Sequence, residues 1–220
     1  MSSLKPIKLY GKGGPNPPKV VIVLEELGVP YEVEAVPFPD VKKPEYLAIN
    51  PNGRLPAIHD PNTGLTLWES GAIIEYLAEK YDTDNKISFP AGSLDSYTAK
   101  QYLYFQATGQ GPYYGQAAWF KKFHPEKLPS ALERYVKEVH RVTSVLEGIL
   151  AEKKGEDGPW LVGGKYSLAD LSFVSWTNVI SVILDKSEYN VEDYPHVDAW
   201  MKRMSARPAV QVALGKTEGH

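Results

Sequence analysis

Two short features place chemically useful groups where secondary structure alone does not require them. Leu55-Pro56 sets a proline at the head of the apolar strand PAIH, where its missing N–H costs a ladder hydrogen bond. Glu69-Ser70 sets a carboxylate and a hydroxyl at the head of the helical run that follows LTLW. A helix start carries N–H groups without intrahelical partners and the positive end of the dipole. Ser70 can therefore take a carboxylate, while Glu69 can neutralise an ammonium. Those two charges side by side are the α-amino acid end of a ligand. Backbone groups ahead of a cis X-Pro bond point outward and can pair with a peptide. An ordinary turn proline and a plain N-cap serine also fit these residues, and a helix start can serve both uses.

The chain of 220 residues has no cysteine, which removes disulfides, thiolate metal sites and a cysteine nucleophile. Thiol chemistry would need a borrowed thiol. The place where a helix dipole lowers a thiol pKa, the N-terminus of the first helix, reads Gly13-Gly14-Pro15-Asn16-Pro17-Pro18. With Tyr10 on the strand before this loop, the groups able to steady a bound thiolate are the Asn16 amide and nearby backbone N–H groups. They act by hydrogen bonding to the charged form and not by removing a proton.

The elements that must position these residues alternate in the first eighty positions. Ile7 to Tyr10 is a strand closed by GKGGPNPP; Lys19 to Leu27 is a helix closed by Gly28, with Pro17 and Pro18 at its first positions. Tyr31 to Val36 alternates as a half-buried strand, and Pro44 to Ile49 is a short helix. Pro56 to His59 and Leu65 to Trp68 form a hairpin around DPNTG, and Glu69 to Tyr81 is a helix with Ala72, Ile73, Tyr76, Leu77 and Ala78 along one stripe. The order βαβαββα predicts a thioredoxin-like α/β domain over residues 1–84, with a linker at 85–92. Residues 93–220 are predicted to be all-helical. Ser93 to Phe123 is one helix interrupted by Gly109, Gly111 and Pro112, Pro129 to Lys154 a cleaner one, Ser167 to Ile183 a third, and two short helices from Pro195 and Pro208 finish the bundle.

Composition sets outer limits. A formal charge of −3, from 24 basic and 27 acidic residues, offers no basic face for a nucleic acid and no polybasic membrane patch. The start of the chain lacks the apolar core of a signal peptide, and no apolar run approaches a membrane span, so a cytoplasmic protein is expected. His124, His140 and His196 lack metal-ligand spacing.

The pieces RLPAIHD, WESGAIIEYLAEKY, PWLVGGKYSLADLSF and WMKRMSARPAV, in this order across nearly the whole chain, resemble the cytosolic glutathione transferases. The stretches GPNPPKVVIVLEELGVPYEV and FQATGQGPYYGQAAWFKKFHPEKLPSALERY are most similar to the fungal branch related to the yeast nitrogen-catabolite regulator and to the bacterial nu class. The resemblance implies glutathione as co-substrate and no metal. It assigns the γ-glutamyl end to Glu69 and Ser70, and backbone pairing to Leu55 ahead of a cis Pro56 and beside Arg54. Asn16 is assigned the glutathione sulfur, and Arg134, in ERY, also reaches the site. This chain departs from the pattern twice. Gly14 stands where some relatives carry a threonine hydroxyl. Val41 stands where a His or Gln helps hold the glycine end, leaving Lys42 or Lys43 to take that carboxylate.

The capping box Ser167-Leu168-Ala169-Asp170 reads as structural. Trp119, Phe120, Tyr113 and Tyr114 divide between core packing and an apolar co-substrate pocket. The expected enzyme is a homodimeric glutathione transferase whose bound thiolate attacks an electrophile or a disulfide, the absence of a first-loop Tyr or Ser favouring disulfide reduction. The rival is a non-enzymatic regulator or scaffold of the same fold. That role uses a long polar tail before the fold, whereas the first strand here is expected within about seven residues of the start.

Overall fold

The structure, a computed structural model, describes residues 4–154 and 158–215. It divides into two compact units, one of residues 4–88 with 208–215 and one of residues 89–207.

The first unit is built on a four-stranded sheet of order β2-β1-β3-β4. Strand β1 (Ile7–Tyr10) runs parallel to β2 (Tyr31–Glu34) and antiparallel to β3 (Ala57–Asp60), which pairs antiparallel with β4 (Leu65–Trp68). Helices α1 (Pro17–Leu27), α2 (Pro44–Leu47) and α3 (Ser70–Tyr81) complete the predicted order. Ile7, Leu9, Ile22, Leu24, Ile58, Ile73 and Leu77 lose all solvent contact, each burial contributing about 2 kcal/mol.

Three boundaries differ from the sequence expectation, each for a physical reason. Strand β3 begins at Ala57 because Pro56 has no N–H for the ladder. Strand β2 ends at Glu34 and is an edge, so Val33 stays 45% exposed despite its alternating pattern. The helix Pro208–Ala213 (α9) was expected to finish the helical bundle; it packs on α1 and belongs to the first unit. Residues 1–3, 155–157 and 216–220 of the expected domains lie outside the described residues.

In the second unit, helix α4 (Leu94–Phe105) passes through a π-turn at Gln106–Gln110 into α5 (Gly111–Ala118) and a second π-turn at Trp119–Phe123. Gly109, Gly111 and Pro112 thus widen the helical path without ending it. The first π-turn lies at a buried polar chain in which Gln106 Nε2 donates to Gln110 Oε1 at 3.0 Å and Gln110 Nε2 to Thr177 Oγ1 at 2.9 Å. Helices α6 (Pro129–Glu152), α7 (Leu168–Ile183) and α8 (Pro195–Ser205) follow in sequence as expected. The Ser167 capping box is present, and buried Asp170 accepts from Leu161 N–H, Ser167 N–H and Trp200 Nε1 at 2.9–3.0 Å. Burial pushes this carboxyl up to about 6 against those donors, and its role is to fasten the preceding loop and α8 to the start of α7.

The hairpin is fastened to α3 by Asp60, the last residue of β3. Its carboxylate is buried and accepts from the Tyr76 hydroxyl at 2.6 Å, from the Tyr81 hydroxyl, and from Asn62 N–H at 2.8 Å. Burial pushes the carboxyl up, but these hydrogen bonds outweigh it and hold it below the usual carboxylate range. A depressed folded-state value contributes stability that is present above the unfolded value of 3.8 and lost as pH falls through the folded one. Asp60→Asn is expected to lower unfolding free energy in urea titrations by about 2–3 kcal/mol near neutral pH. The gap from wild type should narrow as the pH falls below about 4.

Candidate functional site

Strand register brings three separate segments to one end of the sheet. Ala57 pairs with Tyr10 on one side and with Trp68 on the other. The residues just beyond those three positions are therefore neighbours: the Gly11–Asn16 loop after β1, Leu55-Pro56 before β3, and Glu69-Ser70 after β4.

The Leu55-Pro56 peptide bond is cis. Its approach is fixed by side chains from the α2 region. The Arg54 carbonyl accepts from the Tyr46 hydroxyl and from Asn50 Nδ2, both at 2.7 Å, and Asn50 Oδ1 accepts from Asn52 N–H at 2.9 Å. The Arg54 side chain is exposed and Pro56 is buried. Gly11, at φ 119°, lies so close to Leu55 that an added Cβ would come within 3.1 Å of its side chain, which seats the loop against this segment.

Glu69 adopts φ 72° and ψ 112°, a left-handed backbone for a non-glycine residue, and occupies the N-cap position of α3. The helix expected from Glu69 starts one residue later, and Ser70, for which a plain N-cap was the alternative reading, is its first residue. The turn reverses the chain sharply between β4 and α3, so the Ser70, Gly71 and Ala72 N–H groups end the helix beside Leu55-Pro56. A strained residue held by its surroundings is common where a ligand must be met. Asn52 Nδ2 reaches Glu69 Oε1 at 3.4 Å.

Asn16 precedes α1 without capping it through its side chain, and its carbonyl accepts from Lys19 N–H at 3.2 Å. The next two residues, Pro17 and Pro18, have no N–H to give. The helix start that would ordinarily offer backbone donors to an anion is stripped of two of them, which leaves the Asn16 amide prominent. Gly14 lies at φ 75°, and an added Cβ would meet the Phe38 ring at 3.2 Å. A threonine here would be strained and crowded, which accounts for the missing hydroxyl. Tyr10 packs edge-on to Tyr46 at 6.4 Å in a core cluster with Val41 and Ala57.

Val41 is buried in that cluster, so its side chain is a core group. The two lysines that follow it differ. Lys43 is ion-paired with Asp40 at 2.7 Å, whereas Lys42 Nζ donates to the Asn52 carbonyl at 2.8 Å, beside the turn leading into Arg54 and Leu55. Arg134 belongs to the second unit, exposed on α6 and bonded to Glu138 Oε1 at 2.6 Å.

The family model for "Glutathione S-transferase, N-terminal domain" matches residues 14–80, and that for "Glutathione S-transferase, C-terminal domain" matches residues 112–208. The chain belongs to the glutathione S-transferase family. It is 62% identical, over 97% of each chain, to "Glutathione S-transferase-like protein tpcF" of Aspergillus fumigatus. It also resembles the crystal structure of the glutathione transferase URE2P8 from Phanerochaete chrysosporium with oxidized glutathione, at TM-score 0.90 and 43% identity, covering 96% of this chain and 95% of that one. Protein URE2 of Eremothecium gossypii is 39% identical over 92% of this chain and 66% of its own. Within the family the chain lies in the fungal Ure2-related branch.

The helical unit of this transferase sorts its aromatic candidates. Tyr114 is a core residue, 1% exposed with its hydroxyl 2.8 Å from Thr143 Oγ1. Phe120 stacks on Tyr135 at 5.6 Å and Tyr113 lies 6.5 Å from the same ring, while Trp119 is 47% exposed. Arg134 is close enough to feel both tyrosines. Among the described residues no group of His, Asp and Glu is arranged to hold a metal ion, and no helix is long and apolar enough to cross a membrane.

Two contributors escaped the sequence reading. Asn50 looked like a helix stop before Pro51, yet it is buried and anchors Arg54. Lys19 was read only as the start of the predicted helix, yet it is 2% exposed with Nζ 3.5 Å from Ser70 Oγ. The available hint was its place in a stretch, Pro17 to Leu24, that is otherwise apolar. Gly14→Thr is expected to lower stability by about 1–3 kcal/mol in denaturant titrations and to leave turnover with glutathione no higher than wild type.

Proposed function

We propose that this family member is a cytoplasmic, homodimeric enzyme that binds glutathione at the sheet end of its first unit and spends the bound thiolate on disulfides in preference to aryl electrophiles. The observation that carries this reading is the sulfur end of the site. It offers an amide, Asn16, after a left-handed Gly14 and before two prolines, in a chain without cysteine. An amide N–H stabilises a thiolate but cannot accept the thiol proton, which must leave to solvent. Such a site raises the fraction of thiolate modestly, which suffices for thiol–disulfide exchange because a disulfide sulfur accepts a thiolate readily.

The remaining assignments follow charge and geometry. The γ-glutamyl carboxylate takes the Ser70 hydroxyl and the first N–H groups of α3; its ammonium takes Glu69. The cysteinyl backbone pairs with Leu55 ahead of Pro56, on a segment held by Tyr46 and Asn50 through the Arg54 carbonyl. Lys42, not Lys43, is the cation for the glycine carboxylate, because Lys43 is committed to Asp40 while Lys42 lies beside Asn52.

In the reaction, the glutathione thiolate attacks one sulfur of a small disulfide, forming a mixed disulfide and expelling the other sulfur as a thiolate. A second glutathione thiolate then attacks the glutathione sulfur of the mixed disulfide, releasing oxidized glutathione and the second thiol. No protein thiol is needed. The relative crystallised with oxidized glutathione holds the product that this sequence would release. Proximity supplies most of the acceleration.

Turnover of hydroxyethyl disulfide should exceed that of a chloronitroarene at equal glutathione, and negligible disulfide turnover would defeat the reductase reading. Asn16→Ala should lower kcat/KM about tenfold with KM for glutathione little changed, whereas Ser70→Ala should raise the glutathione Kd about tenfold by calorimetry. Binding without turnover on either substrate would identify the chain as a glutathione-binding regulator.

A further inference from the structure

The parallel pairing of β1 with β2 brings a fourth segment to the end of the sheet where the site lies. Tyr10 pairs with Glu34, and Gly11 N–H donates to the Glu34 carbonyl at 2.9 Å, so the chain that leaves β2 runs beside the loop that leaves β1. Val36 in this segment packs against the core cluster of Val41, Tyr46 and Ala57, whereas Phe38 turns outward and is 65% exposed. A single exposed apolar residue is ordinary on a protein surface. This one is also held in place. Pro37 and Pro39 fix the backbone on either side of it, Asp40 N–H closes the turn on the Pro37 carbonyl at 2.8 Å, and Lys43 pairs with the Asp40 carboxylate at 2.7 Å. The tip of the ring rests on Gly14: the Cβ that this glycine lacks would stand 3.2 Å from Phe38 Cζ and 3.9 Å from Cε1. Gly14 comes two residues before Asn16, so an immobilised aromatic ring flanks the loop to which the sulfur is assigned.

We propose, on the reading of the Gly14–Asn16 loop as the sulfur end of the glutathione site, that Phe38 is a specificity-determining residue: it selects co-substrates whose reacting sulfur carries an aromatic group. A ring on the sulfur partner stacks or packs edge-on against a ring placed beside the glutathione sulfur, and such a pair gains attraction beyond apolar burial alone. The gain is kept because Phe38 is already in position; two side-chain torsions on a proline-bounded turn leave little freedom to lose on binding. Glycine at position 14 belongs to the same arrangement, since a side chain there would push the ring away from the loop. A hydroxyethyl group is too short and too polar to use the ring, so disulfides with aromatic substituents are the better-held class. The exchange at sulfur is unchanged. Phe38 acts on which disulfide is held there.

The test compares S-methylglutathione with S-benzylglutathione by calorimetry, two ligands that differ only in a phenyl group beyond the sulfur. Wild type should bind the benzyl ligand about tenfold more tightly than the methyl one. Phe38→Ala should bring the two within about twofold of each other by weakening the benzyl ligand alone, and Phe38→Tyr, which keeps a ring, should keep the wild-type ratio. In turnover, Phe38→Ala should raise KM for dibenzyl disulfide about tenfold and leave KM for hydroxyethyl disulfide unchanged. The residue is exposed, so both variants should fold, which circular dichroism checks. Equal affinities for the two ligands in wild type would overturn the proposal, as would a ratio that survives Phe38→Ala. Equal weakening of both ligands in Phe38→Ala would overturn it too, by reducing the ring to a support for the loop. A wild type that binds neither ligand refutes the glutathione site itself, and the proposal falls with it.

Discussion

The pairing of Ala57 with both Tyr10 and Trp68 is the constraint on which the site depends. It makes the end of β1, the start of β3 and the end of β4 coincide at one edge of the sheet. The Asn16 loop, the Leu55-Pro56 segment and the Glu69-Ser70 turn then have nowhere else to go. A slip of one residue in β3 would turn Ile58 out of the core and carry His59 into it, so burial enforces the register. At the opposite end of β3, Asp60 ties the hairpin to α3 through Tyr76 and Tyr81, which fixes where Ser70 begins its helix.

The electrostatics of this edge follow from the same convergence. The starts of α1 and α3 meet there, each with a positive dipole end, and the buried Lys19 side chain reaches from one to the other. Glu69 places a carboxylate beside these helix starts through a backbone turn that only a well-held residue sustains. Two prolines remove backbone donors from α1, so the anion-binding capacity of the site concentrates on α3 and on the Asn16 side chain. The proposed reading divides the labour accordingly: a strong carboxylate subsite would fix the peptide, and a mild donor would stabilise its sulfur.

The sequence was most legible where one residue type answers one local demand. Leu55-Pro56, Glu69-Ser70, Gly28 and the Ser167 capping box announced an element start or stop, and the βαβαββα order followed from them. Residues whose meaning depends on distant partners were not legible. Lys19 reads as no more than a helix start until α3 packs over it, and Asp60 reads as a turn residue until Tyr76 and Tyr81 arrive from the next helix. The π-turn at Gln106–Gln110 is invisible because its buried glutamines are satisfied by Thr177, sixty-seven positions away from Gln110. The docking of Pro208–Ala213 on α1 was missed for the same reason: a short apolar helix says that it is buried, not against what. Gly14 was legible only as a departure from a pattern, and its left-handed backbone supplied the cause.

The central claim is that Asn16 stabilises the bound thiolate without a protein group to take its proton. Its most direct measure is the pKa of bound glutathione, followed by ultraviolet thiolate absorbance in wild type and Asn16→Ala across the pH range. The account predicts a value below that of a free cysteine thiol, about 8.5, in wild type and a return of about one unit toward it in Asn16→Ala. Equal values in the two proteins would contradict it.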